Sequence, residues 1–396
     1  MLSFLHSADW QIGKPYARVK DPDKRARLRQ VRLETIAGIG RHGQDRQAAF
    51  LVVAGDLFDS PTPSGSDVSA VCQAIGNLGF PVLVIPGNHD HGAPGSVWHS
   101  SFFRSEQQRR APNLQVLVNR QVLELEHAVV LPCPLLRRSD SDDPCAWLRQ
   151  ITWSDLPKSK PRLVLAHGSV HGFGGADLDA DEENPAAASN RLQLDDALLQ
   201  ELDYVALGDW HGMKAVNPKT WYSGTPEPDR FPRTPDYRGS QVLGVQLVRG
   251  GQPNVEPLAT GQLAWHPLRF HFNGDADLPR LEQQLDELLG QEPGQHLLLL
   301  EESGSLSLEG HRHYEALIER LEAQLLRLKR RGRCQQEPGA DELAELTGRP
   351  GDPLIARVAA DLHSALEEAN STGSADTAEV LRLALSELHR CVRLGN

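Results

Sequence analysis

Short apolar runs recur through the first half of the chain, and each gives way at once to a polar cluster. Such runs, bounded by turn residues, are typical of buried strands. The stretches between them have helical spacing, so the pattern predicts an α/β fold. The predicted strands are Leu2–Leu5, Phe50–Ala54, Val82–Ile85, Leu163–Ala166 and Tyr204–Leu207, and the predicted helices are residues 22–42, 66–78, 96–110, 143–151 and 191–201.

The pattern changes after these elements. Residues 241–257 read as two strands around a Gly-Gly turn, which predicts a hairpin at the edge of the sheet. From Gly261 onward the apolar positions predict a second β-α-β-α unit. Its elements are a strand at Trp265–Phe272, a helix at 277–290, a strand at His296–Glu301 and a helix at 311–330.

The C-terminal part begins with a stretch rich in Gly, Pro, Asp and Glu, which is typical of a linker. Two amphipathic helices follow, with apolar residues at helical spacing. The first carries Ile355, Val358, Leu362 and Leu366, and the second carries Leu381, Ala384, Leu385, Leu388 and Val392. The sequence therefore predicts a large domain at 1–260, a small capping domain at 261–332, a linker at 333–353 and a helical tail at 354–396.

Composition limits the setting in which this chain works. The net charge of −12 argues against general coating of nucleic acid, although a local basic patch could still bind phosphates. No apolar run is long enough for a transmembrane helix, and the N-terminus lacks the basic region of a signal peptide. The five cysteines are widely spaced, as in a reducing compartment. We therefore expect a cytoplasmic protein without membrane contact.

A polar cluster follows each of the five predicted strands. Functional groups of α/β sheets gather at the carboxyl ends of strands, so these clusters can converge although they lie far apart in sequence. The alternative is that they are ordinary turns, which Asp, Asn and Gly also favour. The clusters are Asp9-Trp10-Gln11, Gly55-Asp56, Gly87-Asn88-His89-Asp90, Ala166-His167-Gly168 and Gly208-Asp209-Trp210-His211.

The side chains of these clusters have the chemistry of a metal site that hydrolyses phosphodiesters. That reaction needs an activated water and neutralisation of charge on the phosphate, and two divalent ions about 3.5–4 Å apart supply both. Mixed carboxylate, amide and imidazole ligands suit Mn²⁺ or Mg²⁺, and Fe or Zn are the further alternatives. Asp56 follows the most apolar strand and is the candidate bridging ligand. The candidate ligands are Asp9, Gln11, Asp56, Asn88, His167, Asp209 and His211.

The pattern resembles the calcineurin-like metallophosphoesterase family, and within it the SbcD-type DNA repair exonucleases. The resemblance covers the first 260 residues well and the capping segment more weakly. It implies a four-layer α/β metallophosphoesterase sandwich flanked by helices. The motifs that carry it are HSADWQIGK at 6–14, GDLFD at 55–59, GNHD at 87–90, the stretch around His167, GDWHG at 208–212 and YSGTPEPDRF at 222–231.

Roles for individual residues follow from this resemblance. His89 would act on the scissile phosphate or protonate the leaving oxygen. Asp90 would orient His89 and keep it protonated. The resemblance implies a first ion held by Asp9, Gln11, Asp56 and His211, and a second held by Asp56, Asn88, His167 and Asp209.

Two positions depart from the family pattern. Gln11 stands where the family usually has histidine, and Asp209 replaces the first histidine of the last motif. Each ion thus loses one imidazole and gains an oxygen ligand, which favours harder ions such as Mn²⁺ or Mg²⁺. We expect the site to remain binuclear, because the other ligands persist.

The function implied is metal-dependent cleavage of DNA, as an exonuclease and endonuclease in repair. The expected partners are single- or double-stranded DNA ends and an SbcC-type coiled-coil ATPase, and a homodimer would suit paired DNA ends. Two alternatives stay open. One is a phosphodiesterase or phosphatase for small nucleotides. The other is a non-catalytic subunit that binds DNA ends or the ATPase through a degenerate site.

Several segments allow two interpretations. Residues 18–32 carry seven basic side chains, which could line a DNA path or form a solvated helix face. The basic run 327–333 could likewise line a DNA path or form a solvated helix face, or it could complement a helix dipole. His171 could contact phosphate or be a polar loop residue, and residues 174–190 predict an acidic loop. The tail helices could dock on a partner or fold back on the capping domain.

Overall fold

The computed structural model describes residues 1–170, 190–232, 237–337 and 339–394, and the chain divides into two units, Met1–Leu263 and Ala264–Asn396. His171 and residues 174–189 of the predicted acidic loop lie outside the described residues. None of the helices in the described ranges is long and apolar enough to cross a membrane.

The first unit is built on two six-stranded sheets. Its strands are β1 Leu2–Ser7, β2 Leu51–Val53, β3 Val82–Val84, β4 Leu114–Val116, β5 Leu123–Glu124, β6 Val129–Cys133, β7 Arg162–His167, β8 Ser169–Val170, β9 Arg191–Leu192, β10 Tyr204–Gly208, β11 Lys214–Asn217, β12 Thr220–Tyr222, β13 Gln241–Leu247 and β14 Asn254–Ala259. The strand orders are β14-β13-β1-β2-β3-β4 and β11-β12-β10-β7-β6-β5, and β8 pairs with β9 apart from both.

All five predicted strands of the first half are confirmed, but they belong to two sheets. β1, β2 and β3 run parallel in the first sheet, and β7 and β10 run parallel in the second. The predicted hairpin is also confirmed as the antiparallel pair of β13 and β14, and it borders β1. The polar clusters therefore follow strands of both sheets.

Helices cover the outer faces of the two sheets and complete four layers. The helices are α1 Pro22–Asp45, α2 Gly65–Gly76, α3 Ser101–Arg110 and α4 Asp196–Glu201. One core lies between the sheets and joins residues such as Phe4 of β1 to Leu163 of β7 and Tyr204 of β10. Two further cores lie on the outer faces, one where helices pack on the first sheet and one where they pack on the second. The predicted four-layer α/β architecture is thereby confirmed.

Three predicted helices are shorter than the sequence indicates. The stretch 96–110 divides at Ser100 into the 3-10 turn Val97–His99 and helix α3. The stretch 143–151 contains only the 3-10 turn Ala146–Gln150, and residues 191–201 begin with strand β9 before α4. In the stretch 143–151, Asp143 caps the backbone N–H of Cys145 and pairs with Arg149, so the turn is fixed by local polar contacts rather than by an extended helix.

A neutral histidine bridges the two sheets close to the first polar cluster. His6 of β1 is fully buried, and its Nε2–H donates to the carbonyl of Leu207 in β10 at 3.2 Å. Its Nδ1 accepts from the hydroxyl of Tyr204 at 3.0 Å. Burial lowers the pKa of His6 to about 3, so the ring stays uncharged at neutral pH. This bridge fixes the ends of β1 and β10 relative to each other.

The second unit contains a parallel β-α-β-α-β core and three helices at its end. Its elements are β15 Ala264–Phe272, α5 Leu278–Leu289, β16 His296–Leu306, α6 Leu308–Gln324, β17 Arg327–Gly332, β18 Gln335–Gln336, α7 Ala340–Thr347, α8 Pro353–Thr372 and α9 Ala375–Leu394. β16 lies between β15 and β17 and pairs with both in parallel.

The predicted helix 311–330 is wrong at its C-terminal end. Helix α6 ends at Gln324, and the basic run 327–333 forms the edge strand β17. Arg330 of this strand pairs with the buried Glu302 of β16. Charged residues are common on edge strands, where they discourage pairing with other chains. The run therefore has a structural role that none of the three interpretations of the sequence included.

The stretch predicted as a linker, residues 333–353, contains β18 and α7. The two predicted tail helices are confirmed as α8 and α9, which pack against each other through Leu366, Ala369, Ala378 and Leu385. Leu354 and Val358 of α8 and Val380 and Leu383 of α9 remain exposed.

The basic run 18–32 contains arginines that form ion pairs at the surface and one arginine that is buried. Arg27 pairs with Glu34 and Arg29 with Asp67, as on a solvated helix face. Arg32, by contrast, is only 3% exposed. Its guanidinium donates to the carbonyls of Trp10 at 2.8 Å, Glu227 at 3.0 Å and Asp9 at 3.3 Å. Arg32 thus fixes the loop after β1 from behind.

We expect Arg32→Ala to lower the free energy of unfolding by about 3 kcal/mol or more, because several buried carbonyl oxygens would lose their donors. Arg27→Ala is the matched control on the same helix, and its exposed pair contributes about 1 kcal/mol or less. Urea denaturation of both variants measures the difference. Equal losses in the two variants would contradict the anchoring role of Arg32.

Candidate metal centre

The loops after β1, β2, β7 and β10 meet where the two sheets adjoin. The backbone N–H of Asp9 donates to the carbonyl of Gly55 at 3.1 Å, and that of Gln11 donates to the carbonyl of Asp56 at 2.9 Å. The N–H of Asp209 donates to the carboxylate of Asp9 at 3.2 Å. These hydrogen bonds fix the positions of loops that are distant in sequence. The side chains of the loops therefore lie in one site.

Four of the predicted site residues have left-handed backbone conformations. The φ angles are 55° at Asp9, 43° at Gln11, 54° at Asp56 and 98° at Asp209. Such conformations are unfavourable for residues with a side chain, and they concentrate at functional sites. Here they turn the chain sharply at each strand end, which directs the polar side chains to a common place.

Two glycines permit the close approach of the loops. A Cβ atom on Gly55 would lie 2.2 Å from Nδ1 of His167. A Cβ atom on Gly87 would lie 2.1 Å from Oδ1 of Asp56. Both distances are far below van der Waals contact, so any side chain at either position would displace a predicted ligand. Steric exclusion therefore explains why glycine precedes the predicted ligands Asp56 and Asn88.

Asp9, Asp56 and His167 form the centre of the site. Each offers one ligand atom, these atoms lie within 4.8 Å of one another, and all three residues are buried. Nδ1–H of His167 donates to the carbonyl of Ala54 at 2.7 Å. Its Nε2 lies 2.8 Å from Oδ1 of Asn88, with oxygens of Asp56 at 3.6 Å and Asp209 at 3.8 Å. Oxygen atoms thus surround this nitrogen.

The electrostatics of this cluster favour a cation. Burial disfavours a charged His167 ring, but the carboxylates of Asp56, Asp9 and Asp209 outweigh it and raise the pKa of His167 to about 9. Burial, opposed by His211 and His167, raises the pKa of Asp9 to about 6. A carboxylate-rich site of this kind is stable only with a proton or a metal ion among its oxygens.

A second polar group lies beside this centre, around His211. Nδ1 of His211 lies 3.0 Å from Oδ1 of the buried Asp229, and its Nε2 lies 3.4 Å from Nε2 of Gln11. Burial opposes ionisation of Asp229, but Arg230, His211 and Lys14 hold its pKa well below its usual range. Asp229 therefore stays charged and orients the His211 ring.

The arrangement around His89 differs from the expectation for Asp90. The carboxylate of Asp90 is buried and accepts from the backbone N–H groups of Gly87 at 2.7 Å and Phe58 at 3.0 Å. Burial and the nearby Asp56 raise the pKa of Asp90 to about 7, so it is a poor counter-ion for His89. Asp90 instead fixes the turn that carries His89.

Asp59 takes the place beside the His89 ring. Its carbonyl lies 3.1 Å from Nδ1 of His89, and its carboxylate lies 4.0 Å from the same atom. The backbone N–H of His89 donates to the carboxylate of Asp56 at 2.9 Å. These three contacts connect His89 to the loop that follows β2.

Sequence reasoning assigned no role to Lys14, Asp59, Asp229 or Ser169. The first three lie inside motifs that carry the family resemblance, which is the signal that could have found them. Ser169 follows the His167 motif, and its hydroxyl donates to the carboxylate of Asp209 at 3.0 Å. The structure brings all seven predicted ligands into this region, with Gln11 and His211 on one side and the remaining ligands around His167.

Known proteins with similar sequences identify the family. The family model for calcineurin-like phosphoesterases matches residues 2–213. A curated relative from Staphylococcus epidermidis, named as a subunit of the nuclease SbcCD, is 23% identical over 266 residues. The matched region is 62% of this chain and 66% of the relative, so the chain spans just under two thirds of that protein's length.

Among the solved structures that the chain matches is the crystal structure of TT1561 of Thermus thermophilus. It is 12% identical in sequence, with 65% of this chain and 98% of that chain covered and a TM-score of 0.38.

Proposed function

The chain belongs to the calcineurin-like phosphoesterase family, and on that premise we propose that it is a metal-dependent nuclease that hydrolyses DNA phosphodiester bonds in repair. The buried cluster of Asp9, Asp56 and His167 is the observation that supports this proposal most directly. Buried carboxylates without a cation raise the free energy of the folded state, so a purely structural core would not favour this oxygen-rich cluster.

The residues around His167 fit a divalent ion. Asp9, Asp56, Asn88, His167 and Asp209 would hold it, and this mixture of oxygen and imidazole ligands suits Mn²⁺ or Mg²⁺. When bound, such an ion polarises the phosphoryl group and lowers the pKa of a water molecule. The donation from Nδ1 of His167 to Ala54 directs Nε2 to the ligand side. The two-ion arrangement expected from the sequence also needs Gln11 and His211 as ligands.

His89 is suited to assist departure of the leaving oxygen. Its side chain is 19% exposed, so it can reach a substrate, while Asp59 accepts from its Nδ1 side. With Nδ1 on the side of Asp59, Nε2 would face the substrate and donate the proton to the leaving oxygen. Asp90 supports this role only through the turn it fixes.

DNA is the proposed substrate because the curated relative is named as part of a nuclease. A phosphodiesterase or phosphatase for small nucleotides would use the same centre, and direct comparison of substrates separates the two.

The five cysteines are free, which fits a reducing compartment, so we place the activity in the cytoplasm.

We expect the full chain with Mn²⁺ to cleave end-labelled single- or double-stranded DNA, and Asp56→Ala to abolish cleavage because it removes a central ligand. Asp142→Ala, which changes an exposed carboxylate, is the matched control and should retain full activity. Cleavage of cyclic nucleotides but not DNA would favour the small-nucleotide alternative. No hydrolysis of either substrate with any divalent ion would indicate a non-catalytic subunit.

His89→Ala should lower kcat by about 10²-fold or more, the usual scale for a general acid, with metal affinity unchanged. Calorimetric titration with Mn²⁺ and single-turnover cleavage measure the two quantities separately. The matched control is His127→Ala, whose side chain is 63% exposed. Loss of metal binding in His89→Ala would contradict the role proposed for His89.

The tail helices are the proposed docking segment for an SbcC-type coiled-coil ATPase. The relative is named as a subunit of SbcCD. Exposed apolar residues on α8 and α9 suit a helical partner, since large apolar side chains on a helix surface favour association.

Replacement of Leu354 and Val358 by glutamate should abolish co-purification with the co-expressed ATPase, because charge would enter the apolar contact. DNA cleavage by the isolated chain should stay unchanged. Arg357→Ala on the same helix is the control, since its side chain is 79% exposed and pairs with Asp361 of that helix. Retention of the ATPase by the double variant would rule out this docking segment.

A further inference from the structure

A lysine contacts Gln11, a side chain that the expected first ion would need as a ligand. The Lys14 ammonium donates to Oε1 of Gln11 at 3.1 Å and to Oδ1 of Asp59 at 3.4 Å. It also pairs with Oδ2 of Asp229 at 3.0 Å. Its side chain is only 13% exposed, so this positive charge is held inside the site rather than on the surface.

The donors and acceptors around Lys14 have one consistent arrangement. An ammonium group only donates, so the atom of Gln11 that faces it must be the amide oxygen. The amide NH₂ of Gln11 then faces Nε2 of His211 at 3.4 Å. His211 donates through Nδ1–H to the carboxylate of Asp229, which leaves Nε2 with a lone pair that accepts from Gln11.

This arrangement uses the two atoms that a first ion would require. The oxygen of Gln11 is directed to Lys14, and the lone pair of His211 is directed to the Gln11 amide. An ion in that place would require the amide to turn over, so that its NH₂ group faced the ammonium of Lys14. A divalent charge beside a partly buried ammonium would also be repelled. The residues present therefore do not fit a first ion.

We infer that the Lys14 ammonium replaces the first ion, so that the centre binds a single divalent cation at Asp9, Asp56, Asn88, His167 and Asp209. This inference rests on the proposed function, because it specifies the metal content of that same site. It also gives a reason for both departures from the family pattern. Gln11 supplies a neutral oxygen that accepts from Lys14, and Asp209 adds a negative charge beside the remaining cation.

The position of Lys14 also connects the two halves of the centre. Asp59 contacts both Lys14 and the His89 ring, and Asp229 contacts both Lys14 and His211. A fixed ammonium is a compact charge of the kind that proteins use to bind phosphate. One divalent cation and one lysine would then share the neutralisation of the phosphate charge.

The metal content of the full chain tests this inference. We expect calorimetric titration to give one tightly bound Mn²⁺ per chain, and electron paramagnetic resonance to show an isolated ion without coupling to a second. Two tightly bound, coupled ions would overturn the inference and leave the proposed function standing. No bound ion would overturn the proposed metal-dependent function and the inference with it.

Variants of Lys14 give a second readout. Lys14→Ala should raise the stoichiometry from one Mn²⁺ to two, because Gln11 can then turn its oxygen towards the ligand atoms of His211, Asp9 and Asp56. Lys14→Arg retains the charge and should stay at one ion. Lys20→Ala, an exposed lysine of the same loop region, is the control. A Lys14→Ala protein with the native melting transition, one ion and unchanged affinity would overturn the inference.

Discussion

The buried carboxylates of Asp9 and Asp56 face the same imidazole, and their negative charge must be balanced within a part of the protein that excludes water. The structure around them provides this balance in several ways. The ring of His167 carries a raised pKa, the N–H of His89 donates to Asp56, and the N–H of Asp209 donates to Asp9. The meeting of two sheets is what brings these groups together, and the His6 bridge keeps the sheets in register at that point.

Much of the fold could be predicted because each central strand is a continuous apolar run. A strand buried on both faces has this composition, so β1, β2, β3, β7 and β10 were visible in the sequence. The division of these strands between two sheets was not visible, because strand pairing depends on contacts distant in sequence. Strand β17 was missed because its basic residues suit an edge strand and the end of a helix equally well.

The candidate site could be predicted as a set of residues but not as a network. Strand-end position places Asp9, Asp56 and His167 in one region, and the structure brings them together. The direction of each side chain depends on loop conformations, which the pattern of residues does not contain. Sequence reasoning therefore assigned to Asp90 the contact with His89 that belongs to Asp59, and it assigned no role to Lys14 although that residue ends the first motif.

The left-handed backbone at Asp9, Gln11, Asp56 and Asp209 makes the centre a local weakness of the fold. Each such residue costs about 1–3 kcal/mol relative to a relaxed conformation, and glycine would avoid most of that cost. The chain retains side chains at all four positions, so the folded state is less stable than it could be while the candidate ligands are kept. Glycine at any of these positions would relax the backbone but would also remove a candidate ligand, so greater stability there would come with loss of the site.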